Sequence, residues 1–149
     1  MIDLNEKPLC TIPRVMCWAV DNLELLLSQP DESIDLIYCD ILYGTGRNFG
    51  DYQDLKPIRS EIEAHYLPRL KEMHRVLKPD KLAFIVIGDS VINKELIKIE
   101  KEISEFAPGI GFKVNKILSS DLSGHSRIFN PSYAQKGKKE HLITLQKVK

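Results

Sequence analysis

The sequence predicts an α/β fold, a mostly parallel β-sheet with helices on its faces and an antiparallel pair of strands at its carboxyl-terminal end. Short apolar runs typical of buried strands alternate with helical patterns along most of the chain. The run at 82–87, LAFIVI, is apolar throughout, as expected for a strand covered on both faces. The last two strand-like segments, 112–118 and 141–148, have no clear helix between them, which predicts the antiparallel hairpin.

The amino-terminal elements follow from hydrophobic patterning. Residues 12–20 end in an apolar run that predicts a first buried strand, and 22–28 read as a short helix. The apolar run 34–39 predicts a second buried strand. Residues 41–58 are rich in glycine and polar residues, and they predict a long loop of the kind that often carries function.

Two amphipathic helices are predicted in the second half of the chain. One begins near residue 60 and ends at the turn 78–80, and the other covers 93–106. Residues 119–140 are polar and basic, and they predict a second long loop. A length of 149 residues suits one domain, which we take to cover 1–149.

Composition restricts the classes of function. Lys+Arg and Asp+Glu number 21 each, so the net charge is zero, which argues against DNA binding by overall charge but leaves room for a local patch. The cysteines, Cys10, Cys17 and Cys39, lack the spacing of a disulfide framework or a zinc site, so we expect reduced thiols and no metal. A signal peptide and a membrane-spanning run are not recognisable, so we expect a soluble cytoplasmic protein without a membrane partner.

Three carboxylates follow predicted strands at the point where each strand ends. Asp21 follows the first strand, Asp40 the second, and Asp89 the strand at 82–87. A single carboxylate in such a position is more often a helix cap or a turn former. Ligands of open α/β sheets bind beyond the carboxyl ends of the strands, so the three acids together are expected to line one crevice.

The order of these motifs resembles one enzyme family. SIDLIYCDILYGTG is similar to the motif IV region of the N6-adenine and N4-cytosine DNA methyltransferases, in which an apolar strand ends in Asp-Pro-Pro-Tyr. HRVLKPDKLAFIVIGDS resembles the family's Leu-Lys-Pro-Gly-Gly turn, its next strand and its Gly-Asp-Ser. VDNLELLLSQPDES upstream, and GFKVNKILSSDLSGHSR with KKEHLITLQK downstream, extend the similarity to about residues 14–147.

The resemblance implies a Rossmann-like methyltransferase sheet and S-adenosylmethionine-dependent methylation of an exocyclic amino group of adenine or cytosine in DNA, as in restriction–modification. It implies that Asp40 accepts one N–H of that amino group and that the Ile41 carbonyl accepts the other. Tyr43 would stack on a base extruded from the duplex. Asp21 and Asp89 would shape the pocket floor or orient the methyl donor.

Basic residues in the two predicted loops are candidates for contacts with DNA phosphates. Arg47 lies in the first loop, and we weigh its contact against an uninvolved glycine-rich surface loop. The second loop mixes positive charge with aromatic residues, a pattern that suits a nucleic-acid backbone and equally a solvated charged segment. Its candidates are Arg127, Lys136, Lys138 and Lys139.

Two departures from the family pattern bear on activity. Asp-Ile-Leu-Tyr replaces Asp-Pro-Pro-Tyr, so Ile41 and Leu42 restore two backbone N–H groups and are expected to loosen the turn. The Phe-x-Gly-x-Gly turn that accommodates S-adenosylmethionine in the family has no counterpart in the sequence. We therefore expect an incomplete sheet without the donor-binding strands, so that this chain supplies the catalytic block alone.

Three interpretations of a chain that supplies the catalytic block alone stay open. The chain is one half of a split enzyme whose second subunit binds S-adenosylmethionine, a degenerate homologue, or a homodimer that assembles the site. An exposed sheet edge would favour association in each case. A different class of function is a non-catalytic nucleic-acid-binding or protein-binding module that reuses the fold.

Overall fold

The computed structural model describes residues 10–12, 15–17, 21–41, 59–92, 95–121 and 137–148. The amino-terminal elements are β1 (Cys10–Ile12), β2 (Val15–Cys17), α1 (Asn22–Ser28), β3 (Ile34–Asp40) and α2 (Arg59–Val76). The elements that follow are β4 (Leu77–Gly88), β5 (Ser90–Ile92), β6 (Glu95–Ile97), α3 (Ile99–Ile110), β7 (Phe112–Asp121) and β8 (Lys139–Lys147).

Four strands form the central sheet in the order β3-β4-β8-β7. β3 and β4 are parallel, whereas β8 pairs antiparallel with both β4 and β7. The predicted α/β fold and its antiparallel closing hairpin are therefore confirmed. Among the described strands, one junction is parallel and two are antiparallel, because β8 inserts between β4 and β7.

Helices α2 and α3 cover one face of this sheet. Burial alternates along β4, where Ala83, Ile85 and Ile87 are buried and the residues between them are half-buried. The alternation follows from the two-residue period of a strand. The core also contains residues of β8, α2 and α3, namely Ile143, Leu145, Tyr66, Leu70, Met73, Ile99, Ile103 and Ala107.

The opposite face of the sheet is apolar and accessible among the described residues. Leu36 and Tyr38 of β3 and Leu118 of β7 are exposed on it. The predictions that 34–39 is a buried strand and that 82–87 is covered on both faces are therefore wrong for the part of the chain that the structure describes. The reason is that the helices described pack on a single face, whereas the strands carry apolar side chains on both.

Two predicted elements are replaced by small hairpins. The predicted first strand, 12–20, overlaps an antiparallel hairpin in which β1 pairs with β2 and Ile12 lies opposite Val15. The predicted helix 93–106 instead begins at Ile99, because β5 and β6 pair as a second antiparallel hairpin. The β-branched residues of the segment SVINKELI favour strand over helix.

Helices α1 and α2 agree with their predictions, whereas α3 runs to Ile110, beyond the predicted end at 106. α1 covers 22–28 as expected, and α2 runs from Arg59 to Val76. Gly111 is the C-cap of α3; it has a φ of 107°, and its N–H donates to the Ala107 carbonyl. None of the helices in the described ranges is long and apolar enough to span a bilayer.

Strand boundaries differ from prediction at both ends of the sheet. β4 begins at Leu77, five residues before the apolar run, because Leu77 pairs with Ile34 ahead of an irregularity in the register. Asp80, with a φ of 63°, lies within that irregular stretch. β7 continues to Asp121 and β8 begins at Lys139, so the pairing extends into both ends of the predicted loop 119–140.

Candidate active site

Asp40 is the last residue of β3 and is exposed at the carboxyl edge of the sheet. It pairs with Val86 of the neighbouring parallel strand. The next residue, Ile41, donates its backbone N–H to the Val86 carbonyl at 3.1 Å, and its side chain is 7% exposed within the core. The N–H restored by the absence of proline at 41 therefore anchors the chain to β4, contrary to the predicted loosening at this residue. Leu42 and Tyr43 lie outside the described residues.

Cys39 lies on the helix-covered face beside Asp40. Burial raises the pKa of the Cys39 thiol, and the negative charge of Asp40 raises it further, while the Arg69 guanidinium acts in the opposite direction. The thiol is therefore neutral at pH 7, and it adds no negative charge next to the Asp40 carboxylate. Its half-buried position suits a packing role.

Arg69 of α2 is a buried guanidinium, 8% exposed, that ties α1 to α2. One terminal nitrogen, Nη2, donates to both carboxylate oxygens of Asp21 at 2.9 Å, and Nε donates to Asn22 Oδ1 at 2.7 Å. Nη1 donates to the His65 carbonyl at 2.9 Å. Asp21 thus forms an ion pair with a fixed geometry rather than a free carboxylate.

Asp21 is also the N-cap of α1, since its Oδ1 accepts the Leu23 N–H at 2.7 Å. Helix capping is the more common role of a carboxylate that follows a strand and precedes a helix. The Asp21 side chain stays 53% exposed in its ion pair with Arg69, so part of the carboxylate faces solvent. Its contact with the methyl donor stays a prediction.

Asp89 directly follows β4 and is 2% exposed. Its Oδ2 accepts the Lys139 backbone N–H at 3.0 Å, and its Oδ1 is hydrogen-bonded to His141 Nε2 at 3.1 Å. The fold brings Asp40 and Asp89 to the carboxyl ends of adjacent parallel strands, as predicted from their positions. Both oxygens of Asp89, however, are engaged by β8.

Three further residues around Asp89 were given no role by the sequence patterns. His141 of β8 is hydrogen-bonded through Nδ1 to Ser119 Oγ of β7 at 2.8 Å. Its Nε2 lies 3.6 Å from Glu100 Oε2, which belongs to the first turn of α3. His141 pairs antiparallel with both Ile87 and Ser119, and this pairing brings His141 close to Asp89 and Ser119.

A cleft of about 250 Å³ opens on the accessible face of the sheet, beside the residues just described. Tyr38, 68% exposed, lies two residues before Asp40 on the same strand, so both side chains are on the same face. The cleft therefore adjoins the edge that carries Asp40. Its lining residues are Tyr38, Val86, Leu118, Ser119, Ser120, Glu140, His141 and Leu142.

Two of the five predicted phosphate-binding residues fall within the described residues. Lys138 is 9% exposed and takes part in interactions within the fold, which leaves little of its side chain accessible. Lys139 is exposed, with its Nζ 3.5 Å from Asp121 Oδ1. Arg47, Arg127 and Lys136 lie outside the described residues.

Residues 34–143 match the family model for DNA methylases of the N6/N4 methyltransferase type. This match covers β3 through most of β8, which includes Asp40, Asp89 and His141. The chain belongs to this family. It is also 31% identical, over 111 residues, to the type II methyltransferase M.SfiI of Streptomyces fimbriatus, an alignment that covers 72% of this chain and 25% of that protein.

Solved structures with the same fold are similar over nearly the whole chain. The cytosine-N4-specific PvuII DNA methyltransferase superposes with a TM-score of 0.70 at 20% identity, covering 95% of this chain and 52% of that one. A putative DNA modification methylase of Thermus thermophilus, in complex with S-adenosyl-L-methionine, gives a TM-score of 0.59 at 17% identity, with 87% and 51% coverage. This DNA methylase chain thus spans about half the length of these two structures and a quarter of M.SfiI.

Proposed function

We propose that this chain presents the target base for methylation of an exocyclic amino group of adenine or cytosine in DNA, with S-adenosylmethionine as the methyl donor. The observation that carries the proposal is the position of Asp40. Its carboxylate is exposed at the carboxyl edge of the sheet, while the next residue is fixed by a bond to Val86 and by its buried side chain. Membership of the DNA methylase family supplies the reaction class.

The proposed chemistry of Asp40 follows from the weak nucleophilicity of an exocyclic amino group. The nitrogen lone pair is delocalised into the ring, so it must be localised before it can attack a methyl group. Asp40 would accept one N–H and the Ile41 carbonyl the other, which favours a tetrahedral nitrogen. When the nitrogen takes the methyl group, the S–C bond of the donor sulfonium would break and leave a neutral thioether, and Asp40 would receive the proton that the nitrogen loses.

Access of the base to Asp40 requires its extrusion from the duplex. An aromatic ring beside the carboxylate would compensate for lost stacking, a contact worth about 1–3 kcal/mol per base in proteins that bind single strands. We propose Tyr43 for this role, three residues after Asp40. Tyr38 adds an exposed aromatic surface on the same face of β3.

The described residues do not themselves fit a site for S-adenosylmethionine. Asp89 is 2% exposed with both oxygens bonded to β8, and the Asp21 carboxylate is held by Arg69. We therefore assign the donor site to protein outside these residues, on a second subunit, a second copy of this chain, or a further part of the enzyme. Asp21 and Asp89 would support that site indirectly, through the positions of α1 and β8.

DNA phosphates would contact basic residues near the same edge of the sheet. Lys139 is the described candidate with an exposed side chain; it lies at the start of β8, and its backbone N–H is bonded to Asp89. Arg47, Arg127 and Lys136 complete the proposed set, and Lys138 would act through the fold around it. Each phosphate contact is expected to weaken as salt concentration rises.

The test is transfer of labelled methyl from S-adenosylmethionine into mixed-sequence DNA, duplex and single-stranded. The chain is assayed alone and with fractions of extract from cells that express it, and products are identified as N6-methyladenine or N4-methylcytosine. Asp40→Asn keeps the size of the side chain but removes its charge, so we expect a loss of at least about 10²-fold.

The matched control is Asp35→Asn on the same strand. Asp35 lies at the opposite end of β3, where it pairs with Lys78 at 2.7 Å and Lys81 at 3.7 Å, so this variant is expected to keep full transfer. Transfer that survives Asp40→Asn would contradict the role of Asp40. No transfer under any mixture, together with DNA or protein binding that is indifferent to Asp40, would favour the non-catalytic module instead.

A further inference from the structure

A buried cluster of two carboxylates and one imidazole lies beside the proposed base site. Asp89 follows β4, Glu100 is in the first turn of α3, and His141 is in β8. One donor atom from each lies within 4.8 Å of the other two. The side chains of Asp89, His141 and Glu100 are 2%, 4% and 14% exposed.

From this cluster we propose a binding site for a divalent transition metal ion of the zinc class, formed by Asp89, Glu100 and His141. The proposal does not depend on methyl transfer, and it concerns residues other than Asp40. The absence of paired cysteines predicted no metal site, but these three ligands include no cysteine. They lie 11 and 41 residues apart in sequence, so no short motif identifies them.

Two of the three separations between donor atoms are close to the value expected around a tetrahedral ion, and the third is within 4.8 Å. Zinc binds histidine nitrogen and carboxylate oxygen at about 2.0–2.2 Å, which places neighbouring ligand atoms about 3.4 Å apart. His141 Nε2 is 3.1 Å from Asp89 Oδ1 and 3.6 Å from Glu100 Oε2. Small movements of two side chains would therefore close the site around an ion.

Glu100 provides the observation that points to a ligand. Its Oε2 is fully buried and has no hydrogen-bond partner among the described residues. A buried carboxylate oxygen without a hydrogen bond is costly, because the water it loses is not replaced. A metal ion between Glu100 and Asp89 would satisfy this oxygen and offset the repulsion of the two acids.

Hydrogen bonds from neighbouring residues already orient two of the ligands. Ser119 Oγ lies 2.8 Å from His141 Nδ1, so it can accept the Nδ1 proton and leave the Nε2 lone pair facing the two acids. The Lys139 N–H holds Asp89 Oδ2 and leaves Oδ1 toward the cluster.

The ligand set defines the metal class. An imidazole with two carboxylates suits zinc and manganese better than magnesium or calcium, which prefer oxygen ligands alone. Three protein ligands leave one position of a tetrahedral ion open. His141 lies on the helix-covered face of the sheet with Ile143 and Leu145, so that position would be filled by water or by a small oxygen ligand between the sheet and α3.

The test is a zinc titration of the full chain, freed of metal with a chelator, by calorimetry and thermal unfolding. At a free zinc concentration about 100 times Kd, the ratio of folded to unfolded protein should rise about 100-fold. This rise corresponds to an increase in Tm of about 5–10 °C. Magnesium at the same concentration should produce no shift.

Glu100→Gln is the decisive variant because it keeps the shape of the side chain. Removing one of two neighbouring buried acids should leave the metal-free protein as stable or more stable, while abolishing the zinc-induced shift. His141→Gln should abolish it too, and Glu105→Gln, on the exposed side of α3, should keep it. Cobalt, used in place of zinc, should give visible bands without the intense near-ultraviolet charge-transfer absorption of thiolate ligands.

No saturable binding of zinc or manganese by the parent chain would overturn the proposal. Binding that persists in Glu100→Gln, or cobalt spectra with thiolate charge transfer, would overturn it as well. In those cases the cluster is a metal-free network in which His141 bridges two acids. Failure of the methyl-transfer assay leaves this result untouched, because zinc binding is read from heat and from Tm.

Discussion

The anchoring of Ile41 predicts that restoring the first proline of the family motif will destabilise this chain. In Ile41→Pro the backbone N–H that bonds to the Val86 carbonyl is lost, and leaving a buried carbonyl without a partner costs about 1–3 kcal/mol. The side chain, 7% exposed, also becomes smaller by one carbon, about 0.8 kcal/mol. Because proline restricts the unfolded chain, it also raises the free energy of unfolding by about 0.4–1 kcal/mol, which offsets part of this loss.

The control is Ile41→Val, which removes one carbon as proline does but keeps the N–H. Its expected cost is about 0.5–1.5 kcal/mol. The difference between the two variants therefore isolates the Val86 bond, and it should be about 1–2 kcal/mol in the free energy of unfolding. Asp40 is already extended in β3, as a residue before proline must be, so no further strain is expected there.

Equilibrium unfolding in urea, followed by circular dichroism, measures both variants against the parent chain. If Ile41→Pro proves as stable as Ile41→Val, the bond from Ile41 to Val86 contributes no more than the roughly 0.4–1 kcal/mol that proline returns by stiffening the unfolded chain. The position of Asp40 would then depend on the residues after the turn, and Asp-Ile would not hold the turn as firmly as Asp-Pro.

Two further predictions concern the glycines at the end of α3 and the neighbouring His74 of α2. Gly111→Ala should destabilise the protein by about 1–3 kcal/mol from its φ of 107° alone, with more from a Cβ placed 2.6 Å from His74 Nε2. Gly109→Ala, in the same helix with open space around it, should instead stabilise by about 0.5–1 kcal/mol in thermal or urea unfolding. Burial, and next the positive charge of Lys147, lower the pKa of His74 below its ordinary 6.5, so the unfolded chain binds the proton more readily. The contribution of neutral His74 to the free energy of unfolding is therefore full above about pH 6.5. It is lost as pH falls through the pKa of His74 in the folded state. Between about pH 7.5 and 5.5 the parent should therefore lose more stability than His74→Gln, and equal losses would contradict this.

Local patterning predicted the elements that tertiary contacts do not reshape. α1, α2 and the apolar part of β4 fall where periodicity and turn residues place them. The start of β4 at Leu77 was not predictable, because it depends on pairing with Ile34 across the intervening helix. A pattern of apolar residues also could not distinguish a strand covered on both faces from β3, which leaves Leu36 and Tyr38 exposed among the described residues.

The same limit applies to the site. The position of Asp40 at a strand end could be predicted from sequence, because the apolar run and the carboxylate that ends it are adjacent in the chain. The Arg69 partner of Asp21 was not, since it lies 48 residues away on α2. The anchoring of Ile41 depends on the parallel register of β3 and β4, and that register fixes which carbonyl faces its N–H.

The Asp89–Glu100–His141 cluster was not implicit in the sequence. Antiparallel pairing of β4 with β8 brings Asp89 toward His141, whereas the sequence predicted antiparallel pairing only between 112–118 and 141–148. Glu100 was not implicit, because a helix over 93–106 would place it two turns from the helix start. Only the β5–β6 hairpin, by moving that start to Ile99, brings Glu100 into the first turn of α3, beside the strand ends. The candidate metal site therefore depends on the start of α3, which hydrophobic periodicity predicted wrongly.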